Sequence, residues 1–166
     1  MNHKQVTNII SAHGFLLPNG QFQLHKPMKV FKKVYSTDHN NRVTAKAIAN
    51  LILPVGAIIN PPQGNSNKCR ASEAFCWSIV EIKKHTQLTM ASSGHTANFK
   101  YRSARALGMD IKTLFTVNPR TINAYPIHIA SMLHQVMCKP DAFSYHRREC
   151  DPGIHFFVEH TDAIAW

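Results

Sequence analysis

The chain has 166 residues, 44% hydrophobic and 17% charged, with 19 Lys and Arg against 9 Asp and Glu for a net charge of +10. That length suits one domain with a real core, and that balance excludes an intrinsically disordered chain. No apolar run approaches the roughly 18 residues of a membrane span and no secretory signal opens the chain, so the four cysteines are expected as free thiols in a reducing cytoplasm.

Residues 1–27 show weak periodicity, interrupted by a turn at Pro18-Asn19-Gly20 where Gly20 is free to take positive φ. Residues 28–35, MKVFKKVY, predict a strand: they are β-branched and aromatic, and bounded by Pro27 and a polar stretch. Lysines on both of its faces predict an edge strand with long stems reaching to solvent. In residues 43–53 the alanines favour helix, whereas Ile48, Leu51, Ile52 and Leu53 before Pro54 suit a buried strand, and a strand over 47–53 is the expectation. Residues 54–67 read as a loop rich in Pro, Gly and Asn.

Residues 73–83 predict a second strand, with 86–92 able to pair back across Lys84-His85. Residues 102–115 suggest a short helix broken or bent at Gly108. Residues 126–137 predict a helix opened by Pro126, with Ile127, Ala130, Leu133 and Met137 at helical spacing. Residues 141–150 read as an irregular connection. Residues 153–159 predict a last strand in which Ile154, Phe156 and Val158 alternate with His155, Phe157 and Glu159, one face core and the other partly polar. Thr161-Asp162 is placed to cap a terminal turn. The sum is an α+β single domain, mainly an antiparallel sheet of four to six strands with one or two helices, without the strand–helix alternation of a doubly wound fold.

Charge is unevenly distributed. Residues 1–72 carry nine basic residues and one acid, whereas residues 139–166 carry three basic residues and five acids. A basic half of this kind favours an oriented contact with a polyanion. The strongest candidate surface is Lys29, Lys32 and Lys33 with Lys26, Arg42 and Lys46 nearby: lysines would meet phosphates, and the interleaved Phe31 and Tyr35 would stack on bases. The same lysines would equally serve a solvated edge strand by blocking sheet-to-sheet aggregation.

In KCRASEA, Lys68 and Arg70 could clamp a phosphate or carboxylate, or Arg70 could pair with Glu73 or an acid of the C-terminal tail. Near the C-terminus, Cys150 and His155 form a candidate nucleophile and base. In the structural alternative, Pro152-Gly153 makes a turn and Cys150 is a small buried hydrophobe. The cysteines do not have zinc-knuckle spacing: six residues separate Cys69 from Cys76 and eleven separate Cys138 from Cys150. His146, His155 and His160 complete no evident set of four, so neither a metal nor a cofactor is expected.

Three blocks in this order, KVFKKV, then LILP with KCRASEA, then KPDAF with ECDPGIHFF, resemble an uncharacterised domain family of bacteriophages and large DNA viruses, often found beside pentapeptide repeats. The chain departs from that pattern in having no such repeats and in a longer stretch over 101–136, a candidate inserted element. The resemblance implies a phage or viral origin and carries no known activity or catalytic residues. The resulting expectation is a viral accessory protein, in host cytoplasm or virion, that binds nucleic acid or an acidic host protein through its basic half 1–72. A capsid- or tail-associated protein and a Cys/His-dependent enzyme are the alternatives.

Overall fold

A computed structural model describes residues 1–40, 42–93, 100–146, 148 and 150–166. In chain order the strands are β1 (Gly14–Leu16), β2 (Phe22–Leu24), β3 (Met28–Thr37), β4 (Val43–Leu53), β5 (Ile58–Asn60), β6 (Cys69–Ala71), β7 (Ala74–Glu81), β8 (Gln87–Leu88), β9 (Met90–Ser92), β10 (Lys100–Arg102), β11 (Met137–Cys138) and β12 (Ile154–Phe156). The α-helices are α1 (His3–Ser11), α2 (Ile111–Thr116), α3 (Ile127–Val136) and α4 (His160–Ala165). All described strand pairings are antiparallel, and the fold is α+β.

One sheet runs β1-β2-β5-β6-β12. The other runs β10-β9-β3-β4-β7-β11, with β8 added alongside β7. The long β3–β4 hairpin anchors the second sheet, pairing from Met28↔Leu53 to Thr37↔Val43 with a register shift after Ser36. Its core face follows the two-residue period of a strand: Met28, Val30 and Val34 are buried, together with Leu51 and Leu53 opposite. These side chains join Phe22, Leu24, Ile59, Ile154 and Phe156 of the first sheet in one apolar cluster, which fastens the two sheets together.

β3 is not an edge strand. β4 lies on one side of it, while on the other Tyr35 pairs with Ser92 and Phe31 exchanges backbone hydrogen bonds of 2.8 and 2.7 Å with Phe157. The loop expected over 54–67 contains β5, which lies between β2 and β6. β4 begins at Val43, so its alanines serve a strand: Ala47 and Ala49 are buried where neighbouring strands leave little room. Sheet packing here overrides helix propensity.

The helix α1 escapes a periodicity reading because it is short and mostly polar. Its capping box is explicit, with Asn2 accepting from the Gln5 N–H and Gln5 accepting from the Asn2 N–H. The break at Gly108 is observed. Gly108 takes φ 73 after a 3-10 turn (Arg105–Leu107), and α2 starts beyond it. Residues from 104 to 136 build a second apolar cluster, Leu114, Ile122, Leu133 and Val136 closing on Ile52 and Phe75. The last strand is shorter than expected, and residues 153–158 are buried throughout, so neither of its faces is open to solvent. Among the described residues no helix is long and apolar enough to cross a membrane.

Candidate functional site

The structure sorts the sequence-selected cations into three environments. Arg70 is in the first. It is 3% exposed on β6, opposite His155 of β12. Its guanidinium donates to the carbonyls of Ser144 at 3.2 Å, Pro152 at 2.9 Å and His146, and lies 6.0 Å from the Phe143 ring centre. Asn60 Nδ2 donates to the same Ser144 carbonyl at 3.1 Å. Gly153 fits beneath this assembly with φ 149; a Cβ there would stand 3.1 Å from Phe143 and 3.4 Å from the Arg70 Cβ. Among the described residues Arg70 makes no salt bridge with Glu73, whose partner is Lys139 at 3.6 Å, and Asp151 of the tail acts on it as a nearby charge. Arg70 holds Ser144, His146 and Pro152 against the first sheet by their backbone carbonyls. Burial lowers the Arg70 pKa, with Asp151 and Cys150 acting the other way.

Lys32 is in the second environment. Strand alternation puts it on the core face of β3 with Met28, Val30 and Val34, and it is 5% exposed. Its stem spans the gap between the sheets, and Nζ donates to the His155 carbonyl of β12 at 3.0 Å. The Tyr101 ring centre lies 5.9 Å away. Burial, then the neighbouring Lys68 ammonium, push the Lys32 pKa down from 10.5 to about 7, with Cys138 acting in the opposite direction.

Beside this amine lies a cavity of about 210 Å³, lined by Lys32, Lys33, Tyr35, Lys68, Ser93, His155, Phe157 and Trp166. Lys68 is 4% exposed; its Nζ stands 4.3 Å from the Trp166 ring centre and 3.9 Å from Cys150 Sγ. Lys32, Lys68 and Arg70 thus do not belong to an open basic surface, because each is at most 5% exposed.

The third environment is open. A cleft of about 500 Å³ is lined by Lys33, Lys46, Lys83 and Lys84, with Val43, Ile82 and Ile164 as apolar lining and Glu81 as the one acid among its described residues. Lys33 Nζ donates to the Ile164 carbonyl near the end of α4 at 3.0 Å, and Lys33 borders both the cleft and the cavity beside Lys32. Lys26, Arg42 and Lys46 are exposed. Lys29 is exposed as well, its Nζ 5.3 Å from the Phe115 ring centre. Phe31 is half-buried: it meets His160 edge-on at 5.3 Å and packs against Phe157, Ile48 and Ala163. Tyr35 lines the cavity instead.

Cys150 is exposed, not a buried hydrophobe, and its thiol faces Lys68. Nε2 of His155 is 3.1 Å from the Asp151 carbonyl. The two groups proposed as nucleophile and base thus have different partners. Cys69, Cys76 and Cys138 are buried thiols, and burial raises the pKa of each, Cys138 to about 12. Among the described residues no group of three His, Cys, Asp or Glu could hold a metal ion.

Residues 16–132 match the family of unknown function DUF5758. The chain belongs to that family. The match takes in β3, β4 and the KCRASEA block of this DUF5758 protein, and most of the 101–136 stretch, and it ends before KPDAF and ECDPGIHFF. Nothing among curated proteins or solved structures matches the chain.

Sequence reasoning missed Lys83, Lys84, Ser93, Phe157 and Trp166 as site residues. The Lys83-Lys84 pair was visible beside an expected turn. Ser93 and Trp166 reach the cavity only through β9 docking on β3 and α4 folding back across β3, and neither leaves a local pattern.

Proposed function

We propose that this protein is a viral accessory protein that binds nucleic acid through the open lysine cleft. The observation that carries this reading is the convergence of Lys33 of β3, Lys46 of β4 and Lys83 and Lys84 of the turn after β7 on one cleft with a single described acid. Lysines serve phosphates as mobile point charges, and an apolar floor between them suits the face of an unpaired base. The viral setting is supported by the resemblance of the KVFKKV, KCRASEA and ECDPGIHFF blocks. A binding role is favoured over a thiol enzyme because Cys150 and His155 are engaged with different groups.

The test is fluorescence anisotropy of labelled single-stranded and duplex oligonucleotides across a salt series. Reversing Lys46, Lys83 and Lys84 to Glu together should weaken binding at least about tenfold and flatten the log–log salt dependence by about one unit per lost phosphate contact. Unchanged affinity and slope in that folded variant would reject the cleft. Capture of a cellular partner that survives nuclease treatment would replace nucleic acid with an acidic protein.

A further inference from the structure

The Lys32 cavity is separate from the open cleft and has a different chemistry. We propose that it is a binding site for a small dianionic oxyanion, a phosphate monoester or a dicarboxylate of a few carbon atoms.

Four observations carry the assignment. The first is charge. Three amines, Lys32, Lys33 and Lys68, and the His155 ring line the cavity, and among the described residues no Asp or Glu side chain does. The second is position. Lys32 occupies a core place in the middle of a strand flanked on both sides, where its neighbours on the same face are Met28, Val30 and Val34. An apolar residue would fill that place at lower cost, since a buried ammonium is expensive unless an opposite charge meets it. An anion in the cavity would supply that charge. The third is size. At about 210 Å³ the cavity is below the ~300 Å³ at which drug-sized pockets begin, and holds the equivalent of about seven waters at ~30 Å³ each. That suits a phosphate or two carboxylates with a short carbon body, and excludes a whole nucleotide. The fourth is the wall. Tyr35, Phe157 and Trp166 give that body an apolar surface, and Ser93 adds a hydroxyl.

The groups facing Lys32 define how binding should respond to pH. They are Lys68 from the segment before β6, Tyr101 from β10, Cys138 from β11 and the His155 carbonyl from β12. The Lys32 amine is half-protonated at about pH 7. An arriving anion favours its charged form, so above that pH binding draws a proton from solution and weakens as pH rises.

Titration calorimetry with glycerol phosphate and with malonate, in buffers of different ionisation enthalpy, tests the proposal. Binding is expected with net proton uptake, and with affinity falling by up to about tenfold per pH unit between pH about 7.5 and about 9. The preferred probe tells phosphate ester from dicarboxylate. Lys32→Met should weaken binding at least about tenfold while the protein stays folded by thermal melting. Lys68→Met, which leaves β3 untouched, should weaken it independently. Lys46→Glu/Lys84→Glu, confined to the cleft, should leave it intact. No saturable binding of either probe at about 10 mM, binding unaffected by Lys32→Met, or binding without proton uptake would each overturn the assignment. Loss in the cleft variant alone would move the anion to the cleft and overturn it equally.

Discussion

Arg70 and Lys32 are both buried cations, lie in the same apolar region and reach the same C-terminal segment, yet the structure uses them in opposite ways. Arg70 directs its guanidinium at three backbone carbonyls of one connection and has Phe143 beside it. Lys32 gives its ammonium one carbonyl, that of His155, and faces a cavity bordered by further amines. The first arrangement satisfies a planar, forked donor where it stands. The second sets a compact charge at the wall of a cavity. Burial alone therefore does not separate a structural cation from a binding one; the extent to which its donors are satisfied by the protein does.

Three perturbations test this contrast, from the largest expected effect to the smallest. Arg70→Met removes the guanidinium from the Ser144, His146 and Pro152 carbonyls, of which Ser144 keeps Asn60 and Pro152 keeps the Ser144 N–H. A loss of about 3–5 kcal/mol in urea unfolding is expected, with little rescue by Arg70→Lys because an ammonium does not reproduce the fork. A loss below about 1 kcal/mol would place Arg70 with Lys32 instead.

Lys32→Met should act in the other direction, stabilising the ligand-free protein by about 1–4 kcal/mol below pH about 7. The pH dependence has a definite sign. Below about 7 folded and unfolded chains both hold the Lys32 proton, and the full cost of the buried charge is present. Above it the folded chain releases the proton while the unfolded chain keeps it up to 10.5, so wild-type stability rises with pH. The advantage of Lys32→Met should shrink accordingly, by about 1.4 kcal/mol per pH unit. The buried thiols and Tyr101 work against this rise at higher pH, because burial raises their pKa and the unfolded thiols ionise above about 9. Guanidinium melts of the two proteins between pH 6 and 9 (about one pH unit either side of the Lys32 value and beyond) measure the difference. A flat difference would mean that Lys32 keeps its charge in the folded chain throughout, and a slope that continues unbroken to the lowest pH would mean that it is already neutral there.

The smallest effect concerns Cys150, beside the Lys68 face of the cavity. A thiol-reactive dye at neutral pH should label it in the folded protein and leave the buried Cys69, Cys76 and Cys138 untouched until denaturant is added. Labelling should slow by about twofold or more when the cavity is filled by the calorimetric probe, because the thiol is 3.9 Å from Lys68 Nζ. Equal labelling of all four thiols would show that both sheets open readily.

Much of the fold was legible locally. β-branched and aromatic residues marked β3 and β7, and Gly108 marked a helix break because its backbone takes the left-handed conformation. The α+β class followed from the mixture of such segments. The short strands β5 and β6 were not legible, since three residues carry too little pattern and exist only because neighbours pair with them. The edge-strand reading of β3 failed for a related reason: lysines at both faces suggest solvent, and nothing local announces that Phe157 and Ser92 return from far along the chain to cover that side.

The candidate site divides in the same way. The excess of basic residues in the first half, the Lys83-Lys84 pair and the thiols are properties of composition, and the sequence by itself determined them, together with the antiparallel α+β character that short-range patterning imposes. Which lysines face water and which face the core was decided only by tertiary structure. A lysine's alternation in a strand places it on one face or the other, but whether that face meets solvent or a second sheet depends on segments more than a hundred residues away, such as the His155 carbonyl that receives Lys32. The chemistry of the amine follows from that long-range contact: the same side chain is an ordinary ammonium on an open strand and a group titrating at about 7 between two sheets, because desolvation penalises its charged form.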